Sequence, residues 1–128
     1  MLGTERSLIV TGEDGLDEVT LLGATNVLEA RDGRVTEFAW RPADFGIEES
    51  SLDDLLVEGP EQSAAMVRGV LAGEPGVARN IVIANAAAAL WTAGAHETPA
   101  ACAGRAATAI DDGAAADVLA RLADLTNP

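Results

Sequence analysis

Lysine is absent from this 128-residue chain, so its eight basic residues are all arginines, set against 21 acidic ones for a formal net charge of −13. A field of that sign repels phosphate backbones and anionic lipid surfaces, and no cluster of arginines overrides it locally. No nucleic acid partner and no membrane partner is therefore expected. Two origins of the acidic surface stay open: adaptation to high salt, with acids in place of lysines, and a coding bias toward Ala, Gly, Asp and Arg. Cysteine is confined to Cys102, which rules out a disulfide or CxxC pair within the chain. Its setting in Ala100-Ala101-Cys102-Ala103 predicts a small buried hydrophobe. Aromatic residues are only 3% of a chain that is 48% hydrophobic, so a core must be built mainly from Ala, Val, Leu and Ile, with close helix contacts. Long apolar runs are missing as well. The longest uncharged stretch, Asn80 to Ala95, is shorter than a bilayer-spanning helix needs and contains Asn85, so it reads as a buried helix. Nothing at the N-terminus resembles a signal peptide, and a cytoplasmic protein is expected.

A chain of this length fits one domain and can bury roughly two-thirds of its unfolded surface. Met1-Leu2-Gly3 reads as the last turn of a helix closed by glycine, which suggests that Met1 is not the natural start of the folding unit. Ser7 to Val10 is apolar without alternation, the pattern of a strand covered on both faces in a parallel sheet. Val27–Arg31 and Arg34–Trp40 flank Asp32-Gly33, a strong two-residue hairpin signal, and this register sets Val27 opposite Phe38 and Thr25 opposite Trp40. Arg41 to Gly46 is a turn. Ser50 and Ser51 precede Asp53 and Asp54 at capping-box-like spacing and open a short helix through Leu56. Gly59-Pro60 starts a helix with Ala64, Val67, Val70 and Leu71 on one face, ending near Gly73. Val77 to about Ala93 is apolar almost all round and so central, with Ile81, Ala84, Ala88 and Trp91 on one side. Thr98-Pro99 opens another helix that stops near Gly113, and Ala114 to Leu125 forms the last. One buried strand, a hairpin and four to five helices make a partial α/β domain, because one parallel strand cannot pair its backbone groups alone.

The feature with most chemical content is Asp14-Gly15-Leu16-Asp17-Glu18, directly after the apolar strand. Open α/β sheets bind ligands at the ends of their strands, and adjacent carboxylates in a loop freed by Gly15 can converge on a hard cation such as Mg²⁺. Asp17 and Glu18 are the candidate metal ligands. No catalytic general base is identifiable. His96, in a loop after the third helix, reads as a solvated surface residue, Asn85 as a buried amide satisfied by the backbone of a neighbouring loop, and Trp40 and Trp91 as core or interface anchors.

The order of strand, Gly15-Leu16-Asp17-Glu18 loop, hairpin with Gly33, Pro42-to-Gly46 turn, Leu71-Ala72-Gly73 helix end and Asn85-Ala86-Ala87 helix followed by Gly94 resembles the C-terminal part of the anthranilate phosphoribosyltransferase family. The resemblance covers nearly the whole chain. It implies that residues 1–128 are the C-terminal part of an α/β domain binding phosphoribosyl pyrophosphate, that Asp17 and Glu18 hold Mg²⁺ beside that substrate, and that the complete enzyme transfers phosphoribosyl to anthranilate in tryptophan biosynthesis. It also implies what lies outside this chain: the family's Gly-Thr-Gly-Gly-Asp phosphate loop, its Lys-His-Gly-Asn segment, and the helical domain with the anthranilate-contacting arginine. The missing N-terminal part, on the same or a separate chain, is the partner that the resemblance implies, and the chain alone is expected to be inactive. One departure stands at the strand end, where the family commonly has a histidine before the glycine and this chain has Thr11-Gly12. Two other readings share the architecture, a nucleoside phosphorylase-related segment and a non-catalytic binding module.

Overall fold

The computed structural model describes residues 3–127. Asp32 and Gly33 both adopt positive φ, 51° and 73°, as a tight two-residue hairpin loop requires. The strands that they join, β2 (Thr25–Arg31) and β3 (Arg34–Trp40), pair in the expected register, with Val27 opposite Phe38 and Thr25 opposite Trp40. A further strand, β1 (Arg6–Gly12), lies on the other side of β2, so the three form an antiparallel sheet in the order β1-β2-β3. The α/β class expected from the sequence holds.

The reading of Ser7 to Val10 as a parallel strand covered on both faces is not confirmed among the described residues. Among the described residues β1 pairs only with β2, in antiparallel register. Leu8 and Val10 pack on the core, whereas Ile9 is 66% exposed. Successive side chains of a strand point to opposite faces whatever their polarity, so an unbroken apolar run does not by itself say that both faces are covered. The outer face of the sheet is apolar too: Ile9 sits opposite Leu28 and Ala30 opposite Val35, the last 70% exposed. The expected helix end at Met1 and Leu2 lies outside the described residues.

After β3 the chain makes a 3-10 turn at Pro42–Phe45, closed by Gly46 in the left-handed region. The short helix expected through Leu56 is a single 3-10 turn, Asp53–Leu55, in which the Ser51 hydroxyl accepts from the Asp53 amide. That bond spans two residues, where a capping box needs three. Four α-helices follow. α1 (Pro60–Leu71) begins with proline, whose missing N–H would have had no helical partner, and α3 (Pro99–Asp111) begins the same way with the Thr98 hydroxyl accepting from the Ala101 amide. α2 (Val77–Thr92) is the central helix, burying Ile81, Ile83, Ala84, Ala87 and Ala88. Its outward-facing Val82 remains partly open. Cys102, Ala103 and Ala106 of α3 are buried with them in the same core, and these small side chains allow the helix backbones to approach closely. α4 (Ala114–Thr126) buries no residue fully and leaves Val118, Leu122 and Leu125 exposed.

The scarce aromatics are concentrated. Both phenylalanines and both tryptophans of the chain meet in edge-to-face contacts, with Trp40 lying 5.4 Å from Phe38, 5.4 Å from Phe45 and 5.2 Å from Trp91 between ring centroids. Arg6 closes one side of the cluster. Its guanidinium lies 3.7 Å from the centre of the Trp91 ring, donates to the Trp91 carbonyl at 2.7 Å and pairs with Glu29 at 2.6 Å. Strand β1 is thereby pinned to the end of α2.

Candidate metal-binding loop

Where β1 ends, the chain folds back on itself within a few residues. The Gly12 amide donates to the Leu16 carbonyl at 2.8 Å and the Gly15 amide to the Gly12 carbonyl at 3.0 Å. Gly15 takes φ +89°, a region that a side chain would disfavour. Gly12 is needed for a different reason: a Cβ there would collide with the Asp14 carboxylate and press on Thr20. The loop's first two acids are consumed in holding it. Asp14 accepts from the Leu16 amide through Oδ1 at 3.1 Å and from the Thr20 hydroxyl through Oδ2 at 2.7 Å. Glu13 accepts from the Ala24 amide at 3.2 Å while its own amide donates to the Ala24 carbonyl. The Thr20 amide in turn donates to the Thr25 hydroxyl at 3.0 Å, which ties the loop to the first residue of β2.

Asp17 and Glu18 are treated differently. Both are exposed, and neither carboxylate has a hydrogen bond or ion pair among the described residues. Partial burial pushes the Glu18 carboxyl above its ordinary pKa, and the charge of Asp17 adds to the shift. A raised pKa means that the folded chain favours the protonated acid. The stability this gives is present below the usual glutamate range and is lost as pH rises through the shifted value. Replacing Glu18 by Gln is therefore expected to raise the melting temperature near pH 7 by about 1–2 °C, the exposed site being well screened, and the gain should shrink as pH falls toward 5. Melting curves across that pH range check this, and a lower melting temperature for the variant at pH 7 would contradict it.

The donor set suits a particular kind of ion. No group of three or more His, Cys, Asp or Glu among the described residues is arranged as a metal centre, so the chain does not offer a complete protein cage. Two hard carboxylates at a loop are the donor type that Mg²⁺ takes, an ion that is usually bound by one or two carboxylates and not by a full protein cage.

Of the other residues singled out from the sequence, Asn85 is joined to this loop. Its amide oxygen accepts from the Val19 amide at 2.9 Å, and its nitrogen donates to the carbonyls of Val19 and Ile81 at 3.0 Å each. The amide is satisfied by backbone as expected, though Asn85 is half-buried and not fully buried. Trp40 is buried and Trp91 half-buried in the aromatic cluster, Cys102 is fully buried, and His96 is exposed, all as expected. The bracing parts of Glu13, Asp14 and Thr20 went unread in the sequence. The spacing of Asp14 and Leu16, an acid whose side chain can reach an amide two residues on, was the available signal.

Residues 1–116 match the glycosyl transferase family, a/b domain. The chain is 50% identical over 124 residues to the anthranilate phosphoribosyltransferase of Paracidovorax citrulli, an alignment covering 97% of this chain and 35% of that enzyme. In structure it is similar to the Saccharomyces cerevisiae anthranilate phosphoribosyltransferase in complex with 4-fluoroanthranilate, with a TM-score of 0.85 and 26% identity, over 93% of this chain and 35% of the other. The yeast enzyme in complex with PRPP and Mg also matches, with a TM-score of 0.74 and 27% identity, over 83% of this chain and 31% of that one. The chain thus spans about a third of the length of the relatives that it matches. With the family matched over most of its residues and the same enzyme recurring in sequence and in structure, this chain belongs to the glycosyl transferase family, a/b domain.

Proposed function

We propose that this chain is the C-terminal part of an anthranilate phosphoribosyltransferase, its residues 1–128 forming the C-terminal part of the α/β domain for phosphoribosyl pyrophosphate, and that Asp17 and Glu18 hold Mg²⁺ there. The observation that carries the reading is the division of labour in the loop after β1. Glu13 and Asp14 are spent on hydrogen bonds that shape the loop, while the adjacent Asp17 and Glu18 are left free at its surface. Support comes also from the anthranilate phosphoribosyltransferases similar over nearly the whole chain and from the related structure with PRPP and Mg. When bound, Mg²⁺ would neutralise the charge that develops on the departing diphosphate.

The chain's own residues do the rest of what can be assigned to it. Gly12 and Gly15 let the backbone turn sharply after β1, Asp14 and Thr20 fix the turn, and Asp17 and Glu18 present their oxygens at the strand end. Binding of phosphoribosyl pyrophosphate and of anthranilate is assigned to the complete enzyme. This chain has no lysine and no glycine-rich phosphate loop, so alone it orients neither the diphosphate nor the ribose. The missing N-terminal part would supply these and would give cover to the apolar outer face of the sheet at Ile9, Leu28 and Val35. The enzyme is expected to act in tryptophan biosynthesis, in the cytoplasm. No helix among the described residues is long and apolar enough to cross a membrane.

Titration with Mn²⁺, followed by paramagnetic broadening of backbone amides, tests the metal assignment. Broadening is expected first at residues 12 to 20. Broadening confined to Glu48-Glu49 or Asp53-Asp54 would overturn it, and no broadening at any loop would favour the non-catalytic binding module.

A further inference from the structure

We infer that Asn85 is a positioning residue for the metal loop, and that α2 fixes the loop's backbone at Val19 through this side chain. The inference rests on the proposed metal role of Asp17 and Glu18 and adds the group that holds them in place. A primary amide has one acceptor and one donor group in a plane, so it can saturate both polar groups of a single residue's backbone. Asn85 does this to Val19, accepting from its amide at 2.9 Å and donating to its carbonyl at 3.0 Å. Val19 follows Glu18 directly and is buried in the core. The second Nδ2 proton goes to the Ile81 carbonyl one helical turn back, which locks the rotamer of Asn85 itself.

The consequence concerns the two carboxylates. The Asp17 and Glu18 carboxylates have no hydrogen bond or ion pair to hold them among the described residues, so their position depends on where the backbone is fixed on either side. Upstream, Asp14 fixes Leu16. Downstream, Asn85 fixes Val19. The two acids therefore span a bridge anchored at both ends, and the downstream anchor is a rigid helix at the centre of the core. Removing it leaves the Val19 N–H and C=O buried without partners, which a backbone avoids by moving toward water. The acids would move with it. Asn85→Gln cannot repair the bridge, because its extra methylene displaces the amide plane. Asn85→Asp keeps the acceptor but loses both donors.

Three measurements on the chain separate this inference from the metal reading. In the unsubstituted chain, hydrogen exchange at the Val19 amide should be slowed about as much as in α2, while Asp17 and Glu18 exchange freely; a rapidly exchanging Val19 amide would overturn the inference without any variant. In Asn85→Ala the Mn²⁺ broadening at residues 16 to 20 should require at least about tenfold more metal, with amides of α3 still protected, as expected for loss of an outer positioning partner. Unchanged metal dependence in a folded Asn85→Ala chain would overturn the positioning role. A partial return of metal affinity in Asn85→Asp, with its acceptor retained, relative to Asn85→Ala would support it. The metal reading fails separately, if Mn²⁺ leaves residues 12 to 20 of the unsubstituted chain unbroadened. In that case the slow exchange of Val19 and its release in Asn85→Ala still decide whether Asn85 holds the loop.

Discussion

Combined with the N-terminal part of a related enzyme, this chain is expected to support phosphoribosyl transfer to anthranilate, and replacing Asp17 by Asn together with Glu18 by Gln should lower that activity by about 10³-fold or more. Removal of a single preorganised electrostatic contact to a transition state commonly costs about 10²–10³ in rate, and this double change removes both protein ligands of the proposed cation. The fold should tolerate the substitutions, because neither carboxylate holds any part of the loop. A paired control is available at Glu48 and Glu49, two adjacent exposed acids, of which Glu49 makes only a 4.0 Å surface contact with Arg41. Their conversion to Gln should leave activity within a factor of two or so of the unsubstituted enzyme. The chain purified by itself is expected to show no transfer at all. Activity of the chain alone would overturn the assignment of substrate binding to the complete enzyme. Full activity of the double variant in the combined enzyme would remove Asp17 and Glu18 from the metal site.

The parts of this fold that could be read in advance are those decided by local chemistry. Asp32-Gly33 sets the hairpin register because only residues tolerant of positive φ close a two-residue loop, so the pairing of Thr25 with Trp40 followed from two letters of sequence. Pro60, Thr98 and Pro99 mark helix starts for equally local reasons. What depended on distant partners was harder. The faces of β1 could not be told apart, since Leu8, Ile9 and Val10 are alike in polarity and differ only in which side of the sheet has helices against it. Asn85 was legible as an amide satisfied by backbone, but its partner lies 66 residues away and no spacing rule connects them. In the loop, four acids within six positions look equivalent on paper. Only the hydrogen bonds divide them into two that hold the chain and two that are free, and the resemblance to a known family was what pointed to Asp17 and Glu18 for a metal hypothesis. Composition showed that aromatics were few but not that all four would gather in one place.

That gathering leads to the largest expected effect on stability. Replacing Trp40 by Ala should cost about 3–5 kcal/mol, the range for deleting a large buried aromatic, with its edge-to-face contacts adding to the loss. Trp40 is only 6% exposed and touches Phe38, Phe45 and Trp91, so the cavity left behind would be lined by rings that cannot easily collapse into it. Against the total stability of about 5–15 kcal/mol typical of a folded domain, this is a large fraction. Trp91→Ala should cost less, because Trp91 is half-buried, though it also removes the face on which Arg6 rests. Urea denaturation of the three chains measures the order, and a Trp40→Ala cost below about 1 kcal/mol would show that the cluster is not part of the core. The change should also reach the metal loop. Trp40 pairs with Thr25 across the hairpin, the Thr25 hydroxyl accepts from the Thr20 amide, and the Thr20 hydroxyl donates to Asp14. Loss of Trp40 frees the end of β3, then the first residue of β2, and with it the brace behind Asp17 and Glu18. Hydrogen exchange in Trp40→Ala should therefore quicken at Thr20 and Leu16 more than at the β-hairpin's Asp32 end, where the turn holds itself. Equal acceleration at both ends would mean that Trp40 stabilises the sheet as a whole and does not support the loop in particular.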